Sequence, residues 1–268
     1  MEITRPTSLA DALQARGADP GADLLAGGTD LMVEVNFGYA RPEHVISLRR
    51  IEELARIEDG RIGAGVTWAR LEKSRHRALA QLSRTVGSPQ IRAAGTIGGN
   101  IGTSSPAGDG LPWLAAADAE IEVASEARGT RRVPWSDFFT GVKSNSLEPD
   151  EVIVAAVVPD GVPQNQEFAK IGQRSAMVIS TVAACVMRHE DGSVRVALGS
   201  VAPTPVRAYR AEQLIADNPS PSAAVLDEFA RTVSEEVSPI TDHRSTEAYR
   251  RHAAGVLSRR LLERCLAR

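Results

Sequence analysis

Apolar positions along the chain switch between a helical period and a strand period. In residues 7–17, TSLADALQARG, Leu9, Ala12 and Leu13 recur at helical spacing; Ser8 precedes them as a cap and Gly17 follows as a stop. DLLAGG (23–28) predicts a short buried strand running into a tight turn, and HVISLRRI (44–51) predicts another strand. RIGAGVTWARLEKS (61–74) reads as strand, turn and helix, with Thr67 as the cap, and 75–94 as helix then loop. LPWLAAADAEIEVAS (111–125) predicts a helix followed by a strand, RRVPWSDFFTG (131–141) a strand leading into a short helix, and DEVIVAAVVP (150–159) a buried strand ended by Pro159. The turn-rich DGVPQNQ (160–166) interrupts the pattern. Beyond it, AMVISTVAACVMRH (176–189), SVRVALGSVA (193–202) and a mainly helical tail predict a second unit, with the boundary near 165. Strands alternating with helices leave α/β and α+β architectures open.

With 268 residues, 43% of them hydrophobic, the chain has material for one large core or two modest ones. A net charge of −3 argues against nucleic acid and anionic membrane surfaces, which call for a concentrated basic face. The opening MEITRPTSLADAL carries no basic-then-apolar leader, and no apolar run approaches the roughly 18 residues of a membrane span. The expectation is a cytoplasmic protein. Cys185 and Cys265 cannot supply the four thiolates of a cysteine-ligated iron–sulfur cluster, and they read as small apolar fillers. The five histidines form no metal-binding spacing; His44 and His76 read as surface or helix-cap residues.

Two glycine pairs hold the candidate chemistry: LLAGGTDLMV (24–33) and GTIGGNIGTSSPAGD (95–109). A Gly-Gly turn lets backbone amides converge with no Cβ in the way, and such groups of amides bind phosphate. Two such turns, flanked by Thr29, Asp30, Thr96 and Asn100, suit the two phosphates of a pyrophosphate, whereas one such turn taken alone reads first as a plain link from a strand to its neighbour. No GxxxxGK[ST] and no GxSxG motif is present, and GAGVTW (63–68) places Trp68 where a dinucleotide fingerprint needs its third glycine.

The longer strings carry a resemblance. LLAGGTDLMVEVNFGYARPEHVISLRRI (24–51) and the pattern RxxGTIGGNxxxxSPAGDxLPxLxAxDA (92–119) resemble the FAD-binding subunit of molybdenum hydroxylases, the group of the carbon monoxide dehydrogenase medium subunit and the xanthine dehydrogenase flavin domain. The likeness continues through FFTG (138–141), LEPDEVIVAAVVP (147–159), FAKIGQRSAMVIS (168–180), VAPTPVRA (201–208) and SPITDHRSTEAYRRHAAGVLSRRLL (238–262), which together cover nearly the whole chain.

This resemblance implies an α+β chain: an FAD-binding fold of the vanillyl-alcohol oxidase type, with two α/β subdomains (about 1–55 and 56–165). A C-terminal domain (166–268) follows, with a three-stranded antiparallel sheet and helices. It implies noncovalent FAD against Ala26, Gly27, Gly28, Thr29, Asp30 and Leu31, and against Thr96, Gly98, Gly99 and Asn100. Ser104 or Ser105 and Asp109 would bond nearby groups of FAD. A carboxylate beside a pyrophosphate is repelled, so Asp109 would accept from ribityl or ribose hydroxyls. Val152 and Ile153 match an apolar stretch over the cofactor, and Lys170 matches a lysine near it, with an exposed strand lysine as the plainer alternative. Arg207, Asp242 and Arg244 would hold domains together, and Trp68, Trp113 and Trp135 would anchor the core.

By the same resemblance, molybdopterin belongs to a large partner and [2Fe-2S] clusters to a small one, in a dimer of heterotrimers that delivers electrons to a terminal acceptor. No protein acid or base is required. Asn36, Val142 and Lys143 depart from common family forms and bear on the acceptor side. A self-contained flavin oxidase and a non-enzymatic nucleotide-binding scaffold remain the alternatives.

Overall fold

The computed structural model describes residues 1–58, 60–174 and 177–268. The N-terminal unit runs β1 (Glu2–Thr4), α1 (Leu9–Ala18), β2 (Asp23–Leu25), α2 (Leu31–Asn36) and β3 (His44–Ser47). Its strands form a parallel sheet ordered β1-β3-β2, as expected where helices separate successive strands. Ser8 caps α1 by accepting from the amide of Asp11. β2 is an edge strand, so Asp23 is exposed and its two leucines are only half-buried, against the expectation of a buried strand. β3 is shorter than its sequence run because Leu48–Arg50 turns into a single 3₁₀ coil.

The second unit holds β4 (Ile57–Glu58), β5 (Arg61–Gly63), α3 (Trp68–Leu71), α4 (Arg77–Ser83), α5 (Pro89–Ala94), α6 (Ile97–Thr103) and α7 (Leu111–Ala116). It continues through β6 (Glu120–Ser125), β7 (Gly129–Pro134), α8 (Trp135–Phe138), the small hairpin β8 (Phe139–Gly141) and β9 (Ser144–Asn145), and β10 (Val152–Val157). A five-stranded antiparallel sheet, β4-β5-β10-β6-β7, forms its base.

Two sequence expectations change here. The end of 75–94 is helical, because Ser88 accepts from the amide of Ile91 and Pro89 sits at the first helical position. The second glycine pair is not a turn but the opening of α6, since Thr96 caps the helix through the amide of Gly99, and Ile97 and Ile101 bury one face. Thr67 does precede α3, yet its side chain makes no cap bond; it forms a β-bridge with Thr96 instead.

The C-terminal unit comprises β11 (Gln166–Ile171), β12 (Val182–Arg188), β13 (Val194–Gly199), β14 (Val206–Arg207), α9 (Tyr209–Ala216), α10 (Ala223–Glu236) and α11 (Glu247–Leu266). Three long antiparallel strands carry the sheet, and β14 adds two residues at its edge. Ala176, which opens the 176–189 run, lies outside the described residues.

This sheet joins two cores. On β12, Ala183, Cys185 and Met187 pack into the core of the preceding unit, while Val182, Ala184 and Val186 face the helices. Strand alternation sends successive side chains to opposite faces, so one apolar run serves both sides. Trp68, Trp113 and Trp135 are buried in the first of these cores, and both cysteines are buried thiols. No helix among the described residues is long and apolar enough to cross a membrane.

Candidate functional site

The first glycine loop rests on the residues that lead into the second. A Cβ on Gly27 would overlap the carbonyl of Ala94 and lie 2.8 Å from Gly95 Cα, so only glycine permits this approach. Gly28 turns the chain with φ +73°, a left-handed conformation that favours glycine. Thr29 Oγ1 lies beside Gly95 at the start of α6, and Asp30 Oδ2 accepts from Thr103 Oγ1 at its far end, 3.2 Å away. The segment 27–30 therefore lies along α6. Ala26, Gly27, Gly28, Thr29 and Leu31 are half-buried and Asp30 is exposed.

The second loop is tied into the interior. A Cβ on Gly98 would meet Ala64 Cβ at 2.5 Å and Ala64 O at 2.6 Å, so the first turn of α6 packs directly on backbone. Thr96 and Gly98 are buried, and Gly99 and Asn100 are half-buried. Ser104 ends the helix at φ 48°; its hydroxyl donates to Ile101 O (2.7 Å) and accepts from Asn145 Nδ2 (3.0 Å). That hydroxyl is committed to the fold. Ser105 is half-buried, and its Oγ accepts from the amide of Ala107.

The loop ends at Asp109, 8% exposed, where Lys170 Nζ donates to Oδ2 at 2.5 Å. The same ammonium donates to Thr85 O (2.9 Å) and Val178 O (3.1 Å). Lys170 is thus no exposed strand lysine: its side chain is 9% accessible and held by three oxygens. Burial pushes the Asp109 carboxyl above its usual range, and the charge and hydrogen bond of Lys170 only partly offset this. Asp109 Oδ1 and Asn100 Oδ1 are buried with no hydrogen-bond partner among the described residues. A buried acceptor left unpaired costs about 1–3 kcal/mol, so both are open to a donor that a ligand brings.

Val152 is fully buried in β10, and Ile153 is 7% exposed, its Cδ1 3.4 Å from where a Gly102 Cβ would stand. Ile153 accordingly packs against the C-terminal turn of α6. Asn36 is exposed on α2, Val142 is 64% exposed, and Lys143 Nζ donates to Glu34 Oε1 at 2.9 Å, tying the β8–β9 turn to α2. Beside the first loop, Met32, Val33, Phe37 and Tyr39 form an exposed apolar face; Phe37 and Tyr39 stack at 5.9 Å.

Sequence reasoning missed Thr103 and the Ala94–Gly95 backbone, because each acts through a contact distant in sequence. His76 takes the helix-cap alternative, at the N-cap position of α4, but is only 8% exposed and packs its ring 5.5 Å from that of Trp113. Arg207 does join domains: Nη1 donates to Ala115 O and Asp118 Oδ1 while Nε and Nη2 grip Glu212. Asp242 instead pairs within the C-terminal domain, with Arg244 and Arg250.

The arrangement fits a dinucleotide in which a pyrophosphate meets glycine amides and hydroxyls meet a carboxylate. Among the described residues no cluster of three or more His, Cys, Asp or Glu side chains is placed to hold a metal ion.

Comparison with known proteins agrees with this chemistry. Residues 1–161 match the family described as the FAD binding domain in molybdopterin dehydrogenase, and residues 167–265 match the CO dehydrogenase flavoprotein C-terminal domain. The chain is 34% identical to the putative xanthine dehydrogenase FAD-binding subunit of Escherichia coli K12, over 98% of its own length and 95% of that protein. It is 32% identical to the carbon monoxide dehydrogenase medium chain of Afipia carboxidovorans, with 98% and 96% covered. Its fold superimposes on a chain from the carbon monoxide dehydrogenase of Hydrogenophaga pseudoflava with a TM-score of 0.90 and 30% identity, covering 100% and 97% of the two chains.

Proposed function

Given that the chain belongs to the FAD-binding subunits of the molybdenum hydroxylase family, we propose that it relays electrons. The donors are [2Fe-2S] clusters of a small partner, fed by a molybdopterin-bearing large partner, and the recipient is a terminal acceptor. A flavin supplies the ability to accept electrons singly and release them in pairs.

The chain's own residues bind and orient that cofactor. The amides of Gly27 and Gly28 face the pyrophosphate; those of Gly98 and Gly99 are already given to Ala64 O and Thr96 Oγ1, so these two glycines serve by letting α6 come close, with Thr29, Thr96 and Asn100 adding side-chain hydrogen bonds. Ala26, Asp30 and Leu31 shape the first loop, and Val152 and Ile153 form an apolar backing. Asp109 Oδ1 accepts from a ribityl or ribose hydroxyl, and Lys170 holds the carboxylate in place. Ser105 supplies the further hydroxyl, since that of Ser104 is already bonded within the loop. Substrate is oxidised in the partner, so no acid or base of this chain has to act on it.

The observation that carries the reading is the pair of unpartnered buried acceptors, Asp109 Oδ1 and Asn100 Oδ1, beside two converging glycine loops. The exposed apolar face of Met32, Val33, Phe37 and Tyr39 supports a partner seated beside the first loop, within a dimer of heterotrimers. The direct test is the visible spectrum of the purified chain before and after acid precipitation. Flavin bands with FAD released to the supernatant are expected. Colour retained in the pellet would indicate a covalent flavin oxidase. A chain that stays colourless with added FAD would overturn the reading.

A further inference from the structure

One buried cation of the C-terminal domain is used neither by the cofactor loops nor by the contact between domains at Arg207. Arg250 lies in the first turns of α11 and is 3% exposed. Its Nη1 donates to two carbonyls, Thr181 O at 2.7 Å and Ser200 O at 2.9 Å. Nη2 donates to Asp242 Oδ1 at 2.8 Å. Asp242 is itself held by the amides of Arg244 (2.9 Å) and Ser245 (3.1 Å).

Each carbonyl begins a path back to the cofactor site. From Ser200, a residue held at φ 64°, the backbone amide donates to Pro106 O at 2.8 Å, inside the second glycine loop and three residues before Asp109. From Thr181, the amide donates to Ile171 O at 2.7 Å, and the preceding residue, Lys170, grips Asp109 Oδ2. Between the two, Val178 O accepts from the same ammonium. One guanidinium therefore fixes both the backbone that presents Asp109 and the lysine that orients it. A planar fork with several donors suits this task; an ammonium offers no such fixed geometry.

We propose, resting on the reading that this chain holds FAD, that Arg250 is a positioning residue for the cofactor site. It acts through Ser200–Pro106 and Thr181–Lys170 to set the free oxygen of Asp109 toward a cofactor hydroxyl. Arg207 supplies the contrast. It is also buried and, unlike Arg250, bonds across the domains directly, yet it lands on Ala115 O and Asp118, at the C-terminal end of α7, and its bonds do not reach the 105–109 loop.

The experiment measures the dissociation constant of FAD, by flavin fluorescence, for the full-length wild type, Arg250→Lys and Arg207→Lys, with the melting temperature of each apo-protein. Both variants keep the charge and lose the fork, and both melt below wild type. Arg250→Lys raises the FAD dissociation constant fivefold or more, and Arg207→Lys changes it less than twofold. In the Asp109→Asn background, the effect of Arg250→Lys falls within twofold, which a merely structural loss of stability would not produce. Equal shifts from the two arginine variants, or an Arg250→Lys value within twofold of wild type, would overturn the proposal. A wild type that binds no FAD would instead overturn the cofactor reading beneath it.

Discussion

The two glycine loops share a sequence pattern but sit in opposite environments. The first, 26–31, is half-exposed and leads into α2, a helix with no buried residue. The second opens α6, whose Ile97, Gly98 and Ile101 are buried and which packs against Ala64 and β10, and ends at a buried carboxylate. The first loop is free to give way when crowded; the second is part of the core. The same substitution should therefore act on binding in one loop and on folding in the other.

The largest expected effect is at Gly98. Gly98→Val forces a side chain onto Ala64 Cβ and its carbonyl, where neither backbone can retreat. Overpacking of this kind costs about 1–3 kcal/mol, and we place Gly98→Val at the upper end, read as a lower urea midpoint of the apo-protein. Gly27→Ala clashes with Ala94 as severely on paper, but its loop is able to lift. It should cost about 1 kcal/mol of apo stability or less while removing most FAD binding. If both variants lose equal stability, the contrast between the loops fails.

Asp109→Asn removes the charge of an acceptor that forms part of the second loop's function rather than its packing. A hydrogen bond to a charged group is worth about 1.5–3 kcal/mol, so FAD should bind about 10–100-fold more weakly. Titration of flavin fluorescence reads this directly.

Acid offers a further separation. Burial alone would raise the Asp242 carboxyl, but the Arg244 amide, the Arg250 hydrogen bond and the Ser245 amide outweigh it and hold it well below its ordinary value. A depressed carboxyl contributes stability that is complete above its unfolded value, near about 4, and is lost as pH falls through the folded value. As pH falls below about 4 this contribution shrinks, the strap from Arg250 to the second loop opening only as pH passes through the folded value, and Asp242→Asn should flatten that part of the stability profile. Hydrogen exchange at 200–201 and 181–182 would show it, with the first loop unaffected.

Smaller still is Thr96→Ala, which removes the side-chain cap on Gly99 N at a cost of about 1 kcal/mol. Smallest is Lys143→Met, which breaks the exposed pair with Glu34 beside the first loop. Thermal denaturation should register less than about 0.5 kcal/mol there.

Much of this molecule was legible from residue order. Local signals act within a few residues, so α1 with its Ser8 cap, the buried run of β10 and the helix-then-strand at 111–125 follow from spacing and capping chemistry. The glycine pairs announced a place where backbone must come close. Other features were misread because the deciding contact is remote. The second glycine pair is helical since Thr96 caps it and its isoleucines find a core. β2 is half-exposed since it lies at a sheet edge.

The sequence by itself determined many of the elements, the two glycine pairs and the set of polar groups available for a pyrophosphate and its neighbouring hydroxyls. Only the tertiary structure decided which of those groups are free. Ser104 is spent on Ile101 and Asn145, Lys170 on three oxygens, and Asp109 keeps one buried oxygen without a partner. The physical reason is that a hydrogen bond is satisfied by whatever atom the fold brings within about 3 Å, and sequence order does not record that distance.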